Sequence, residues 1–264
     1  MGQYHLAGTS VSLTSMVHAW QAAQYDALEL PHLRWGDDVI TALELQGSET
    51  VLDAGAGTGR DTMKLVNLLP RGRIIAVDAS PHMLGELRRK VADAGAPIEV
   101  IESDLSKDFG IHQQCDAVMS VATFHWIADH DALFANLATT MKPGARLVAD
   151  CGGRSNVARV SDAFAKVTGI DPNSAHVWNF ADVPETTASL AAAGFSDIDV
   201  RLVEDPAIFA SSEAHCAFLT TVVLGAQLET LPPEDHLAIV AQVSRELGEY
   251  LVDYVRLKIF ARRI

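Results

Sequence analysis

Apolar and polar positions follow a repeating order along residues 49–150, in which short apolar runs alternate with amphipathic segments. The runs predict strands at residues 51–53, 73–78, 98–101, 115–120 and 145–150. The segments between them predict helices at residues 60–69, 81–94 and 130–141. Strands that alternate with helices indicate βαβ units, and therefore a parallel sheet covered by helices.

The pattern is less regular after residue 151. It predicts helices at 154–170 and 183–193, a strand at 197–203, and two helices within 211–249 divided by Leu231-Pro232-Pro233. Within the last helix a core-facing stripe is predicted from near-helical spacing of Leu237, Val240, Val243 and Leu247.

The chain ends in alternating residues that predict a last strand over Val252 to Ala261. One face would carry Val255, Leu257 and Ile259, and the other would carry Tyr254, Arg256 and Lys258. Such alternation is typical of a strand with one buried face, so we expect this strand to be half exposed near the edge of the sheet.

A glycine-rich segment, T-V-L-D-A-G-A-G-T-G over residues 50–59, follows the first predicted strand. Glycine permits positive φ and lets a ligand lie against the backbone, so a strand, such a turn and a helix together build a nucleotide-type pocket. The third glycine, Gly59, comes one residue earlier than the G-x-G-x-x-G pattern of dinucleotide sites requires. Asp53 would repel an anion there and attract a cation or a hydroxyl donor.

Two more acids follow the next two predicted strands, Asp78 after the second and Asp104 after the third. Parallel strands end at the same edge of a sheet, so the three carboxylates would surround one pocket. Asp78 is placed to accept hydrogen bonds from ribose hydroxyls. The alternatives are a helix-capping role for Asp78 beside Ser80 and an ordinary loop position for Asp104.

These motifs resemble class I S-adenosylmethionine-dependent methyltransferases, and in particular the group that includes trans-aconitate methyltransferase. The resemblance covers nearly the whole chain and rests on residues 51–59, Val77 to Leu84, Phe124-His125-Trp126-Ile127, Leu137 to Gly144, Cys151 to Val157 and Asp253 to Leu257, with Tyr25-Asp26 upstream. Ala56 departs from the cysteine that is common there, at a position that contributes mainly backbone. No Asp/Asn-Pro-Pro-aromatic tetrad follows the fourth strand, which counts against methylation of amide or nucleobase amino groups.

The resemblance implies an α/β fold, a Rossmann-like seven-stranded mostly parallel sheet with helices on both faces and a helical cap. In this family the last strand is antiparallel and lies between the fifth and sixth. One methyltransferase domain would then span 1–264. Its expected parts are N-terminal lid helices at 1–40, a cofactor-binding core at 41–151, helical cap or insertions at 152–182 and 205–250, and the remaining core helix and strands at 183–204 and 251–264.

The resemblance also implies S-adenosylmethionine as the cofactor and assigns residues to it. The expected cofactor-binding residues are Tyr25, Asp53, Ala54, Gly55, Gly57, Asp78, Ala79, Met83, Ser103, Asp104, Leu105 and Val121. The expected substrate-binding residues are Trp20, His125, Trp126 and Arg154. His125 is the catalytic candidate, with a structural histidine as the alternative, and the aromatic residues are equally compatible with packing.

The expected reaction is methyl transfer to a small acceptor, at a carboxylate or hydroxyl oxygen. The alternatives are C- or N-methylation, a non-methylating role on the same fold, methylation of a macromolecule, and a nicotinamide-dependent oxidoreductase. The last explains Asp53 poorly, and Arg60 breaks its glycine pattern.

Charge and composition narrow the expected partners and location. The formal net charge is 20 − 34 = −14, which disfavours nucleic acid, and no apolar stretch predicts a membrane span. Three widely separated cysteines and the absence of a secretory pattern favour a reducing cytoplasm. No set of ligands is spaced for a metal, Cys115 and Cys151 are expected in the core, and the oligomeric state stays open.

Overall fold

A computed structural model describes residues 32–112, 114–174 and 178–264. The predicted lid residues up to 31, including Trp20 and Tyr25, lie outside this range. The first described helix, α1, spans His32–Ala42.

A seven-stranded sheet forms the centre of the described structure, in the order β3-β2-β1-β4-β5-β9-β6. Its strands are β1 Thr50–Ala54, β2 Arg73–Asp78, β3 Ile98–Glu102, β4 Cys115–Val121, β5 Met141–Gly152, β6 Phe195–Glu204 and β9 Val255–Arg263. Only the pairings of β9 with β5 and with β6 are antiparallel within this described sheet. The seven-stranded, mostly parallel Rossmann-like sheet is therefore confirmed.

Helices connect these strands in the predicted order. They are α2 Arg60–Leu68, α3 Pro81–Ala94, α4 His130–Thr140, α5 Ala158–Thr168, α6 Val183–Ala192, α7 Ser212–Phe218, α8 Gly225–Leu228 and α9 His236–Leu247. Single turns of 3₁₀-helix lie at Phe124–Trp126 and Pro233–Asp235, and a π-helical turn at Leu219–Val223 follows α7. A short hairpin pairs β7 Ala207–Ile208 with β8 Leu251–Val252.

The middle of the sheet is the centre of the core, because strands there are covered on both faces. Leu52 of β1 and Val118 of β4 are fully buried. Cys115 and Cys151 are buried and free, as expected for small core residues. Local capping fixes the helix starts: the Ser80 hydroxyl accepts the Met83 amide at the start of α3, and Pro81 follows it.

The start of β5 differs from the prediction. The strand is predicted at residues 145–150, but β5 already begins at Met141, which pairs with Cys115. The register then shifts before Ala117 pairs with Arg146. Such an irregularity accommodates Pro143, which has no amide to donate to a regular ladder.

The last strand also differs. The alternating run breaks into β8 and β9, and β9 lies inside the sheet rather than near its edge. Part of the predicted polar face is consequently covered: Arg256 is 1 % exposed and Tyr254, just before β9, is 5 % exposed, whereas Lys258 is half-buried. The position implied by the family resemblance is right, and the half-exposed strand inferred from alternation is wrong for Tyr254 and Arg256.

Two expectations for the cap need correction. Leu237 is 79 % exposed, so the core-facing stripe of α9 holds for buried Val240 and Val243 but not for its first member. The first of the two predicted helices is interrupted, because a π-helical turn and a short α8 follow α7. Extra-wide turns of this kind occur preferentially at functional sites.

Candidate functional site

A cavity of about 930 Å³ opens at the carboxyl ends of β1, β2 and β4. Its lining joins eleven of the residues expected at the site. They are Asp53, Gly55, Gly57, Asp78, Ala79, Met83, Asp104, Leu105, Val121, His125 and Trp126. The sheet topology explains this assembly, because neighbouring parallel strands bring their carboxyl ends to one edge.

Asp53 is a buried carboxyl at the end of β1, only 3 % exposed. The Thr62 hydroxyl of α2 donates to its Oδ2 at 2.6 Å. Burial raises the pKa of Asp53 to about 7, and the nearby Asp61 and Asp78 carboxyls push the pKa in the same direction, against the Thr62 hydrogen bond. A cation placed here would relieve the cost of ionising this group.

The glycine turn wraps over the end of β2. The amides of Gly55 and Ala56 both donate to the Val77 carbonyl, at 2.8 and 3.0 Å. Gly57 has φ +54°, and a Cβ built there would meet nothing within 4 Å, although the residue lines the cavity. The open space beside this backbone is therefore available to a ligand.

Asp78 ties the glycine turn to the start of α3. Its Oδ2 accepts the Gly57 amide at 2.9 Å, and its Oδ1 accepts the Ser80 amide at 2.8 Å. Each carboxylate oxygen has a second lone pair, so these bonds leave acceptor capacity for hydroxyls in the cavity. The capping role and the ligand-binding role considered for Asp78 are thus compatible.

Asp104 also lines the cavity but is engaged in its own loop. Its Oδ1 accepts both the hydroxyl of Ser106, at 2.7 Å, and the amide of Ser106, at 2.9 Å. These hydrogen bonds from Ser106 lower the pKa of Asp104 below its usual range. Asp104 is therefore a fixed, ionised acceptor at the third strand end.

His125 lies on the 3₁₀ turn after β4 and is 8 % exposed. Its Nδ1 accepts the Gly152 amide at 3.2 Å. A ring nitrogen that accepts a hydrogen bond carries no proton, so this contact defines a neutral ring with its hydrogen on Nε2. The lone pair of Nδ1 is therefore already used in this contact.

An aromatic wall, formed by His125, Trp126, Trp178 and Phe180, lines the same side of the cavity. Trp178 and Phe180 stack with ring centroids 5.3 Å apart, and His125 lies 5.1 Å from Trp126 and 5.8 Å from Phe180. Trp126 lines the cavity and is 47 % exposed, so part of its ring is open to contact. Aromatic rings offer a ligand an apolar surface on which another ring can pack.

Three predicted residues do not line the cavity. Ala54 is buried, and its carbonyl accepts the Ser120 hydroxyl at 2.6 Å. Ser103 donates its amide to the Asp78 carbonyl at 3.0 Å. Arg154 has a 61 % exposed side chain that donates to Asp182 at 2.6 Å.

Sequence reasoning missed an arginine that does line the cavity. Arg256 of β9 donates from Nε to Asp150 Oδ1 at 2.7 Å and from Nη2 to the Asp150 carbonyl at 3.3 Å, and both side chains are 1 % exposed. The guanidinium lies 3.7 Å from the centroid of the Trp35 ring. In the sequence, Arg256 was visible only as part of the polar face predicted for the last strand. Because β9 lies inside the sheet, Arg256 faces the cavity instead of solvent.

Strained backbone marks the same region. Ala122 and Val157 both line the cavity and have φ values of +55° and +53°. Positive φ is costly for residues with a Cβ, and for β-branched valine most of all. Strained backbone conformations occur preferentially at functional sites, where the surrounding packing is strong enough to maintain them.

Two further findings concern the described residues only. Their His, Cys, Asp and Glu side chains form no group of three or more that could hold a metal ion. No helix among them combines the length and the apolar character needed to cross a bilayer.

Comparison with known proteins matches residues 51–144 to the methyltransferase domain family. Trans-aconitate 2-methyltransferase of Acidovorax sp. (strain JS42) is 28% identical over 128 residues, 48% of this chain and 48% of that protein. Malonyl-[acyl-carrier protein] O-methyltransferase of Xylella fastidiosa (strain M23) is 26% identical over 147 residues, 56% of this chain and 48% of that protein. The chain thus spans about half the length of the curated relatives it matches.

Solved structures show the same fold. Phosphoethanolamine N-methyltransferase 2 of Haemonchus contortus, determined with S-adenosyl-L-methionine, superposes with a TM-score of 0.61 at 16% identity. The superposition covers 86% of this chain and 52% of that one. Residues 51–144 therefore match the methyltransferase domain family, and the described structure has the fold seen in that solved N-methyltransferase.

Proposed function

We propose that this protein is an S-adenosylmethionine-dependent methyltransferase that methylates an oxygen of a small-molecule acceptor. One observation carries the proposal: a single cavity joins the three strand-end acids to His125 and the aromatic wall. The acids suit a cofactor with hydroxyls and cationic groups, and the wall supplies a neighbouring place for an acceptor. The methyltransferase domain match over residues 51–144 supports the same reaction class.

The residues at the first two strand ends fit this cofactor. Buried Asp53, with its pKa raised to about 7, suits an ammonium or sulfonium cation. Asp78 retains lone pairs for ribose hydroxyls, and the open space at Gly57 admits the ligand against the backbone. When bound, the cofactor supplies an electrophilic methyl group on a cationic sulfur.

The protein contributes alignment and exclusion of water. Positioning of two reactants alone is worth effective molarities of about 10⁵–10⁸ M. Val121, at the end of β4, lines the same cavity as the aromatic wall, the glycine turn and the π-helical turn. An anionic oxygen that attacks a cation loses charge in the transition state, so this apolar lining favours the reaction over the separated ions.

The hydrogen bond at His125 favours a carboxylate acceptor over a hydroxyl. A hydroxyl must lose its proton to a base, and the Nδ1 lone pair of His125 already accepts the Gly152 amide. A carboxylate is already ionised and needs no base.

A nicotinamide-dependent oxidoreductase is the second candidate, and the electrostatics oppose it. A pyrophosphate at the start of α2 would lie among Asp53, Asp61 and Asp78, all of which line the cavity. Like charges brought that close are destabilising unless paired.

Incubation with S-adenosylmethionine carrying a labelled methyl group, together with a panel of carboxylic acids and alcohols, tests the proposal. We expect label in a methyl ester and none without acceptor. Saturable binding of NAD with hydride transfer, and no transfer of label to any acceptor, would contradict it.

A further inference from the structure

The acceptor half of the cavity contains one cation whose role the reaction class leaves unassigned. All 20 lysines and arginines of the chain lie within the described residues, and Arg60 and Arg256 are the two that line the cavity. Arg60 opens α2 beside the glycine turn, on the cofactor side. Arg256 is therefore the arginine available to an acceptor beside the aromatic wall.

Arg256 is buried but not saturated. Its Nε and Nη2 donate to Asp150, while Nη1 makes no hydrogen bond within residues 32–112, 114–174 and 178–264. A guanidinium has five N–H donors, and because Arg256 lines the cavity, those of Nη1 are open to a ligand there. A ligand oxygen in the cavity would satisfy them.

Asn156 adds a second donor in the same place. Its Oδ1 accepts the Val255 amide at 3.0 Å, which fixes the orientation of the amide group. Its Nδ2 has no hydrogen-bond partner in the described part of the chain and lies in the lining of the cavity, in a residue only 5 % exposed. The amide hydrogens of Asn156 are thus directed donors without an acceptor.

Gly152 brings these groups together. It pairs with Arg256 across β5 and β9, and its amide donates to His125. A Cβ at Gly152 would lie 2.8 Å from Asn156 Nδ2 and 2.8 Å from Phe180. The donor cluster, formed by Arg256 and Asn156, therefore surrounds one glycine at the foot of the aromatic wall.

The charge in this cluster cannot compensate several anions. Asp150 offsets the charge of Arg256, and Lys258 reaches Asp150 Oδ2 only at 3.7 Å while also pairing with Asp38. The rest of the cavity lining includes five carboxyl groups, those of Asp53, Asp61, Asp78, Asp104 and Asp129. A polycarboxylate would meet these groups without enough cations to compensate it.

We propose that Arg256 and Asn156 bind the carboxylate of a planar, apolar monocarboxylic acid whose body stacks on the aromatic wall. This inference rests on the proposed methyltransferase function and specifies its acceptor. One carboxylate oxygen is held by the donor cluster, and the other forms the new O–C bond with the methyl carbon. The S–C bond electrons return to sulfur, so the products are a methyl ester and a neutral thioether, and no proton is transferred.

Calorimetry on the protein loaded with S-adenosylhomocysteine tests the binding step with trans-cinnamate, cinnamamide and trans-aconitate. We expect cinnamate to bind at least about tenfold more tightly than cinnamamide, which lacks the charge, and than the tricarboxylate. Methyl cinnamate should then form from S-adenosylmethionine. Equal affinity for cinnamate and cinnamamide, or a preference for trans-aconitate, would overturn the inference.

A paired substitution isolates Arg256. Replacing the buried ion pair by Arg256→Met with Asp150→Leu avoids leaving one charge buried alone. We expect unchanged S-adenosylhomocysteine affinity and loss of cinnamate binding, while Arg201→Gln, at an exposed arginine of β6, leaves both unchanged. Loss of cinnamate binding in Arg154→Gln, with binding retained in the double variant, would assign the carboxylate to the other arginine. Failure of the unmodified protein to bind S-adenosylhomocysteine would instead contradict the proposed function itself.

Discussion

A single residue, Asp53, makes the stability of the folded protein depend on pH. Its pKa is raised to about 7 by burial, so below this value the folded protein holds a neutral carboxyl, and above it the folded state bears the cost of a buried charge. Stability from this group is therefore lost as pH rises towards 7. Asp53→Asn cannot ionise, and we expect it to stabilise the ligand-free protein more at about pH 8 than at about pH 5.5.

Asp116 gives a matched control of opposite sign for that measurement. Although burial opposes the effect, hydrogen bonds from Lys142 and from the Thr50 amide hold the pKa of Asp116 below its usual range. Its stabilising contribution is present at both pH values and disappears only in more acidic solution. Chemical denaturation of Asp116→Asn should show a similar loss in the free energy of unfolding at both pH values. If the effect of Asp53→Asn were also independent of pH, the raised pKa of Asp53 would be refuted.

Asp78 gives a second residue-scale prediction, on cofactor affinity. Asp78→Ala removes charged hydrogen bonds to ribose hydroxyls and should weaken S-adenosylhomocysteine binding by about 2–4 kcal/mol. Asp93→Ala, at an exposed acid of α3 paired with Arg89, is the control and should not change the affinity. Unchanged affinity in a folded Asp78 variant would remove Asp78 from the site.

Which cavity residues could be found from sequence depends on where they lie in the chain. Asp53, Asp78 and His125 follow predicted strands, and strand ends meet at a known edge, so local pattern was enough to group them. Three other lining residues come from segments after residue 151, namely Asn156, Phe180 and Arg256. Which side chains come into contact there depends on the three-dimensional path of the chain, which the local sequence pattern does not reveal. Arg154 was chosen because it follows the fifth strand, and sequence does not reveal that Asp182 would pair with its side chain.

The glycine turn allows a test at the scale of one element. Gly57 and Gly95 both have positive φ, +54° and +60°, and a Cβ at either would meet nothing within 4 Å. Alanine in this conformation costs about 1–2 kcal/mol at either position, so Gly57→Ala and Gly95→Ala should lose similar stability. Because Gly57 alone of these two lines the cavity, its variant should also lose S-adenosylhomocysteine affinity in calorimetry. Equal affinities in the two variants would show that the turn does not approach the ligand.

The pairing of β5 with β9 gives another element-scale prediction. Asp150→Ala leaves the Arg256 charge buried without its partner, and we expect a loss of about 3–5 kcal/mol in the free energy of unfolding. Glu246→Ala removes the exposed ion pair with Lys166 and should cost no more than about 1 kcal/mol. Denaturant titration of both variants measures the difference, and comparable losses would contradict the buried location of Arg256.

The last strand shows what alternation alone can and cannot predict. Alternating residues correctly indicated a strand at the end of the chain, but a polar face is compatible with solvent or with a buried ionic pair. In the structure β9 lies between β5 and β6, so Arg256 forms a buried ion pair with Asp150 and packs on the Trp35 ring. No local property of residues 252–261 encodes that insertion, and only the family resemblance implied it.

In the whole molecule, one cavity at the edge of the sheet combines two kinds of lining. In the proposed function, acids at the ends of β1 and β2 form the cofactor half, while the donor cluster and the aromatic wall form the acceptor half. Regular βαβ repetition made the first half predictable. The lining of the second half depends on β9 and on the π-helical turn Leu219–Val223, and no periodic pattern in the sequence predicts where these elements lie. The division of the chain into lid, core and cap stays a prediction.

Titration calorimetry with S-adenosylhomocysteine and with NAD, under the same conditions, decides which class of cofactor the cavity binds. We expect saturable binding of the adenosyl compound at one site per chain and no detectable heat from the dinucleotide. Binding of NAD with no response to S-adenosylhomocysteine would contradict this expectation.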